Sequence, residues 1–182
     1  MAEQESATKR PASVLVTDGV WVLAAQGNAM AVETDEGVVL VDTGRGGKMT
    51  ERMIAELRTL TDAPISAICY SHGHVGYNAG LPQWVEHNAE RGDALPRIIA
   101  HRNLPARHAR YRETEGYQAI LNEMQFPGIG ALFDPLKIDP TETFDDHLVL
   151  SESPRVELLW TPSETDDAIS VWLPETRTLY TG

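Results

Sequence analysis

Apolar and polar residues alternate in short runs over the first quarter of the chain. From Ser13 to Gly44 it reads "SVLVTDGVWVLAAQGNAMAVETDEGVVLVDTG", with Asp18-Gly19, Gly27-Asn28 and Glu36-Gly37 set between apolar runs. These pairs predict β-turns in a meander of three or four strands. The last run, Val38-Val39-Leu40-Val41, is nearly all β-branched and reads as a buried central strand. The period then changes. In "KMTERMIAELRTLTD", Met49, Met53, Ile54, Leu57 and Leu60 recur at helical spacing until Pro64 stops the helix. Ser66–Tyr70 is a second buried strand, and the strand–helix–strand passage predicts a βαβ-type unit. "NAGLPQWVEHNAERG" predicts a short helix with Leu81, Trp84 and Val85 inward, and "RIIAH" at 97–101 predicts a strand. Residues 102–125 read as largely helical, interrupted near Pro105 and Gly116, and Pro127–Pro140 as loop. "HLVL", "VELLW", "AISVWL" and "TLYT" then predict short strands separated by turns. The order is β-rich, then αβ, then β-rich again, with no internal repeat and no low-complexity tract.

Composition narrows the partners. The chain has 182 residues, enough for one domain with a real core, and a net charge of −12. An acidic surface repels nucleic acid and anionic membranes, so neither is expected as a partner. Residues 1–12 are polar and read as an N-terminal arm without the apolar core of a signal peptide. No apolar run approaches the roughly 20 residues needed to span a bilayer. The expectation is a cytoplasmic protein whose domain occupies 13–182. Cys69 is the single cysteine; an intrachain disulfide is excluded, and its apolar neighbours mark it as a small core residue.

The chemistry concentrates in "SAICYSHGHVGYNAG", Ser66–Gly80. His72 and His74 stand two apart, and in an extended segment that spacing turns both imidazoles to one side. The same spacing occurs in hydrogen-bonding surface loops, so the pair alone does not assign a metal. Its position just past a buried strand is where α/β folds place their sites. Asp42 ends another buried strand. It reads either as a turn former or as a carboxylate holding the free ring nitrogen of a ligating histidine.

Taken together, "VVLVDTG", a helix, "AICYSHGHVGYNAG", "IIAHRN" and "LLWTPSETDDAISVWLPETRTLYTG" resemble the metallo-β-lactamase superfamily over about Val20–Gly182. The resemblance implies an αββα sandwich, an α/β fold. It runs nearest to the alkyl-sulfatase-like branch, in which a glutamate replaces a histidine ligand in the turn after a late strand. Carried onto this chain, the resemblance makes His72, His74 and Glu164 the ligands of one divalent cation, zinc or Fe(II). Asp42 and His101 would support them from behind. Where the superfamily has Asp-His after the second histidine, this chain has Gly76 and Tyr77, which implies a site reduced to one metal. The superfamily pattern also continues past Thr181-Gly182 with further strands, helices and a late histidine. The expectation is that this chain is the N-terminal portion of the fold and that a second polypeptide completes it, as the rest of one precursor or as a separate subunit.

Two neutral imidazoles and one carboxylate leave a divalent ion with positive charge and open positions, which suits activation of a bound water. The implied activity is hydrolysis of a small-molecule ester, amide, lactone or sulfate ester. Tyr77 reads either as a donor to a developing oxyanion or as a ring that fills the second-metal position. The same donor set suits a mononuclear Fe(II) enzyme that uses oxygen, and lost ligands also fit an inactive scaffold subunit. His87, His108 and His147 read as solvated histidines. Asp166-Asp167 read as turn caps or carboxylates that reach the metal through water. Arg107, Arg110 and Arg112 in "RHARYRETEGY" read as a cationic helix face for an anionic substrate or as partners of helix-surface carboxylates such as Glu115.

Overall fold

The computed structural model describes residues 13–25, 27–74, 76–125, 127–128 and 138–182. The arm expected at 1–12, and 129–137 of the expected loop, lie outside them. The meander resolves into four strands, β1 (Val14–Thr17), β2 (Val20–Ala25), β3 (Gly27–Thr34) and β4 (Gly37–Val41), paired antiparallel in that order. Helix α1 (Gly47–Leu60) then crosses to β5 (Ile65–Cys69), and α2 (Leu81–Arg91) to β6 (Arg97–His101). Strands β4, β5, β6 and the three-residue β7 (Glu142–Phe144) run parallel, which completes a seven-stranded sheet in sequence order. Strand β7 was not expected: three residues are too short for an alternating pattern to register.

The helical stretch after β6 is two helices, α3 (Leu104–Glu113) and α4 (Glu115–Gln125). They break at Thr114 and not at Gly116. Pro105 interrupts nothing; it sits in the first turn of α3, where a missing N–H costs no helical bond. The last four strands, β8 (His147–Glu152), β9 (Arg155–Trp160), β10 (Ile169–Leu173) and β11 (Thr178–Tyr180), form a separate antiparallel sheet in the order β11-β10-β9-β8.

Strand alternation divides the core in two. Along β4, Val38 and Leu40 face the helices, while Val39 and Val41 face the smaller sheet. The helix side packs Met53 and Leu57 of α1 and Leu81 and Trp84 of α2 on Leu23, Ala31, Leu40 and Ile68. The other side buries Val32, Val41, Ala67, Cys69 and Ile99 against Leu150, Val156, Leu158, Ile169, Val171 and Leu173. Cys69 is a free core thiol as expected, and burial pushes its pKa up. The result is a sandwich of helices, a large mixed sheet and a small antiparallel sheet. On the far face of the small sheet, Leu159 and Trp172 are half-buried and Leu179 is 54% exposed. Among the described residues no helix is long and apolar enough to cross a membrane.

Parallel strands end on the same edge, so Asp42 and Ser71, just past β4 and β5, and His101, the last residue of β6, come to one rim. The β9–β10 connection reaches that rim from the other sheet. The N–H of Ile169 donates to the carbonyl of Ser71 at 2.8 Å, which joins the two sheets beside the histidines. Leu158 is fully buried between the sheets. Leu158→Ala is expected to cost about 2–5 kcal/mol in urea unfolding, against about 0.5 kcal/mol or less for Leu179→Ala.

Candidate metal centre

The rim is organised around Asp42. Its backbone turns left-handed, with φ 62, directly after the all-buried β4, and its side chain is buried with it. Aspartate tolerates that conformation better than most residues. The turn aims the carboxylate at the next strand end. Oδ1 accepts the N–H of Ser71 at 2.9 Å and Nδ2 of Asn78 at 2.9 Å, and Oδ2 accepts the Ser71 hydroxyl at 2.5 Å. Burial raises the pKa of Asp42, and the Ser71 and Asn78 donors work against that rise by favouring the ionised form. Asn78 also accepts the N–H of Thr43 through Oδ1, at 3.1 Å, so it braces the same turn twice.

The sequence left Asp42 as a turn former or as a carboxylate holding a histidine. It sits in a left-handed turn, and its side chain reaches His72 only by way of Ser71. The Ser71 hydroxyl has one proton, which it donates to Oδ2 of Asp42; its oxygen then accepts from Nδ1 of His72, 2.9 Å away. This relay fixes His72 as the Nδ1–H tautomer and leaves the lone pair on Nε2.

That lone pair is at the place the sequence pointed to. His72 Nε2 lies 3.8 Å from Oε2 of Glu164, and His74 Nδ1 lies 3.0 Å from Oε1. One donor atom from each of the three residues falls within 4.8 Å of the others. Two ligand atoms about 2.1 Å from a tetrahedral zinc are about 3.4 Å apart, so the spacings bracket what one cation needs. Both ring nitrogens are buried and neither has a hydrogen-bond partner; the 3.0 Å approach of His74 to Glu164 lacks hydrogen-bond alignment. Unpaired buried acceptors that converge on a carboxylate fit a divalent cation better than they fit each other. Glu164 is the exposed member, with 63% of its side chain open against 11% for His72. The cluster is therefore approached from the Glu164 side.

The tyrosine ring at Tyr77 packs against both imidazoles, with centroids 4.9 Å from His72 and 5.6 Å from His74. Gly27 makes room for it, because a Cβ there would lie 2.4 Å from the ring. His101 stacks on Trp160 at 5.0 Å with planes 2° apart and meets Phe144 edge-on. Its Nδ1 accepts the N–H of Asn103 at 3.3 Å. Burial lowers its pKa. Packed between Trp160 and Phe144, with Nδ1 on a backbone N–H, His101 belongs to the wall between the sheets.

The structure changes two other readings. His108 is buried and pairs with Asp139 at 3.0 Å, so it is not solvated. His147 is exposed, as expected, and pairs with Glu157 at 3.1 Å. Arg107 does not offer a bare cation: its guanidinium is held by Asp166 and Asp167. Arg112 meets Asp139 at 3.3 Å. Ser71 and Asn78 were missed, because a serine at a strand end and an asparagine in a Gly-rich loop look like turn residues. Their partner Asp42 is 29 and 36 positions away.

The profile of the metallo-beta-lactamase superfamily matches residues 22–182. The chain belongs to the metallo-beta-lactamase superfamily. A linear primary-alkylsulfatase from Pseudomonas sp. (strain ATCC 19151) is 28% identical over 165 residues, covering 81% of this chain and 31% of the relative. Among solved structures, a stereoselective inverting sec-alkylsulfatase from Pseudomonas sp. superposes with TM-score 0.71 at 18% identity, over 92% of this chain and 30% of that one. A metallo-beta-lactamase from Pontibacter korlensis gives 0.61 at 20% identity, over 93% and 70%. This superfamily chain thus spans about a third of the length of the alkylsulfatases it matches.

Removing the relay tests the centre without touching a ligand. Ser71→Ala is expected to weaken zinc binding about 10–100-fold in competition with a chromogenic chelator, and Ser71→Thr to retain most of it.

Proposed function

We propose that this chain carries the active centre of a metal-dependent hydrolase with one catalytic cation held by His72, His74 and Glu164. The carrying observation is the convergence of two unpaired buried ring nitrogens on the Glu164 carboxylate, 3.8 and 3.0 Å away. Bound zinc supplies Lewis acidity there and lowers the pKa of a coordinated water to about 7. Neutral His72 and His74 donate lone pairs, and Glu164 cancels one of the two positive charges. Asp42 and Ser71 keep His72 in the donating tautomer, and His101 supports the wall behind. Gly76 and Tyr77 stand where the superfamily pattern has an aspartate and a histidine. We assign the Tyr77 ring to closing off a second cation position and its hydroxyl to holding the substrate oxygen on which charge develops.

The substrate class we favour is a sulfate ester of an aliphatic alcohol. Its support is the 28% identity to a linear primary-alkylsulfatase, which agrees with the alkyl-sulfatase-like branch suggested by the Glu164 position. A second reading rests on the donor set itself: two imidazoles and a carboxylate with open positions also suit Fe(II) and oxygen. We further propose a cytoplasmic location and a second polypeptide laid on the smaller sheet, completing the fold of which this chain forms the N-terminal portion. Exposed Leu179 beside half-buried Trp172 and Leu159 supports such a cover.

Native mass spectrometry with metal analysis, followed by assay on a linear alkyl sulfate, tests these readings together. The expected result is one zinc per chain, a companion chain in the native mass, and turnover that is lost on chelation and restored by zinc without oxygen. Iron with strictly aerobic turnover would support the second reading, and a metal-free, inactive chain the scaffold. Glu164→Gln is expected to lower metal affinity by at least about 100-fold, beyond the loss typical of an outer support. Tyr77→Phe is expected to lower kcat by about 100-fold at unchanged metal content.

A further inference from the structure

Gly73 stands between the two histidines, and its N–H donates to Oδ2 of Asp167 at 2.5 Å. The Asp167 side chain has no solvent exposure. Its other oxygen accepts Nε of Arg107 at 2.5 Å, and the same guanidinium reaches Asp166. Arg107 comes from the first turns of α3, and its side chain is 18% exposed. The fit around the glycine is close: a Cβ on Gly73 would lie 2.8 Å from Cδ of Arg107 and 2.9 Å from Oδ2 of Asp167.

Asp167 also belongs to the connection that carries Glu164, three residues earlier. That connection is closed on itself by Thr161 N–H to Ala168 O at 3.0 Å and Ser163 N–H to Thr165 O at 3.1 Å. One buried carboxylate therefore joins the backbone between His72 and His74 to the loop of Glu164. A carboxylate without solvent needs a cation and donors to remain charged, and Arg107 and Gly73 supply them. Burial disfavours the Arg107 charge, and the two aspartates outweigh it, raising its pKa.

We infer that the Arg107–Asp167 ion pair is a positioning clamp of the metal centre, which holds the Gly73 backbone so that the imidazole pair and Glu164 keep the separation one cation requires. The inference rests on the metal-centre reading above. Neither residue touches the cation; both act through Gly73 and the Glu164 loop. Gly73 has no side chain because the clamp occupies that space.

The test is Co(II) titration of the full chain, read by affinity and by the visible absorption bands, which report coordination geometry. Thermal unfolding of the metal-free chain runs beside it. Asp167→Ala and Arg107→Ala are each expected to weaken Co(II) binding about 10–100-fold and to change the bands. The double variant should be little worse than either, since the two residues act as one unit. Asp167→Asn, which keeps a carbonyl oxygen for Gly73, should recover part of the affinity. If Asp167→Ala does not fold, Asp167→Asn and Arg107→Lys give the same reading through intermediate losses with altered bands. Unchanged bands with affinity within twofold of wild type would overturn the clamp. So would a loss that only tracks the fall in melting temperature. A folded wild-type chain that takes up no Co(II) would sink the metal-centre reading, and the clamp with it; wild type and variants loading equally would sink the clamp alone.

Discussion

A buried carboxyl group needs donors to replace the water it has lost, and the Asp42 side chain has three: Ser71 twice and Asn78 once. The rest of the site depends on that arrangement. The left-handed turn at Asp42 would be a cost without return if its side chain met water. Instead it ties the end of β4 to the end of β5 and to the Gly-rich loop, and it sets the direction of one hydroxyl proton. Through that proton it decides which nitrogen of His72 is free to bind a cation.

The sandwich supplies the second constraint. Parallel β4, β5 and β6 deliver their ends to one rim, but they contribute only the two imidazoles. The third donor, Glu164, comes from the other sheet, whose strands share no ladder with the first. The separation between donors is then a matter of how firmly two sheets are joined at this rim. The apolar core between them fixes the spacing coarsely. The Ile169–Ser71 bond and the Asp167–Gly73 bond fix it where the chemistry is. This explains why polar residues are buried so close to an open cluster: each spans two segments that the core alone would leave loosely related.

How far the site was legible depended on how local its parts are. The His72/His74 spacing is a local signal, and the period-2 argument for a shared side agrees with rings 5.8 Å apart. The meander, α1, α2 and β6 followed from periodicity because each has a regular apolar face. Glu164 was legible only through a family resemblance, since no spacing relates it to residues some ninety positions earlier. Ser71, Asn78 and Asp167 are short polar residues whose partners lie 29 to 94 positions away, and locally they look like turn formers. Arg107 looked like a surface cation because its two carboxylates belong to another loop. In each case tertiary contacts gave the residue its role.

The account is tested most directly by anomalous diffraction at the zinc edge from crystals of the zinc-loaded chain. It predicts one zinc bonded to Nε2 of His72, Nδ1 of His74 and a carboxylate oxygen of Glu164, at about 2.0–2.2 Å, with Ser71 still between Nδ1 of His72 and Asp42. Zinc located elsewhere, a ring of His72 flipped to bind through Nδ1, or a Glu164 side chain turned away from a bound ion would contradict it.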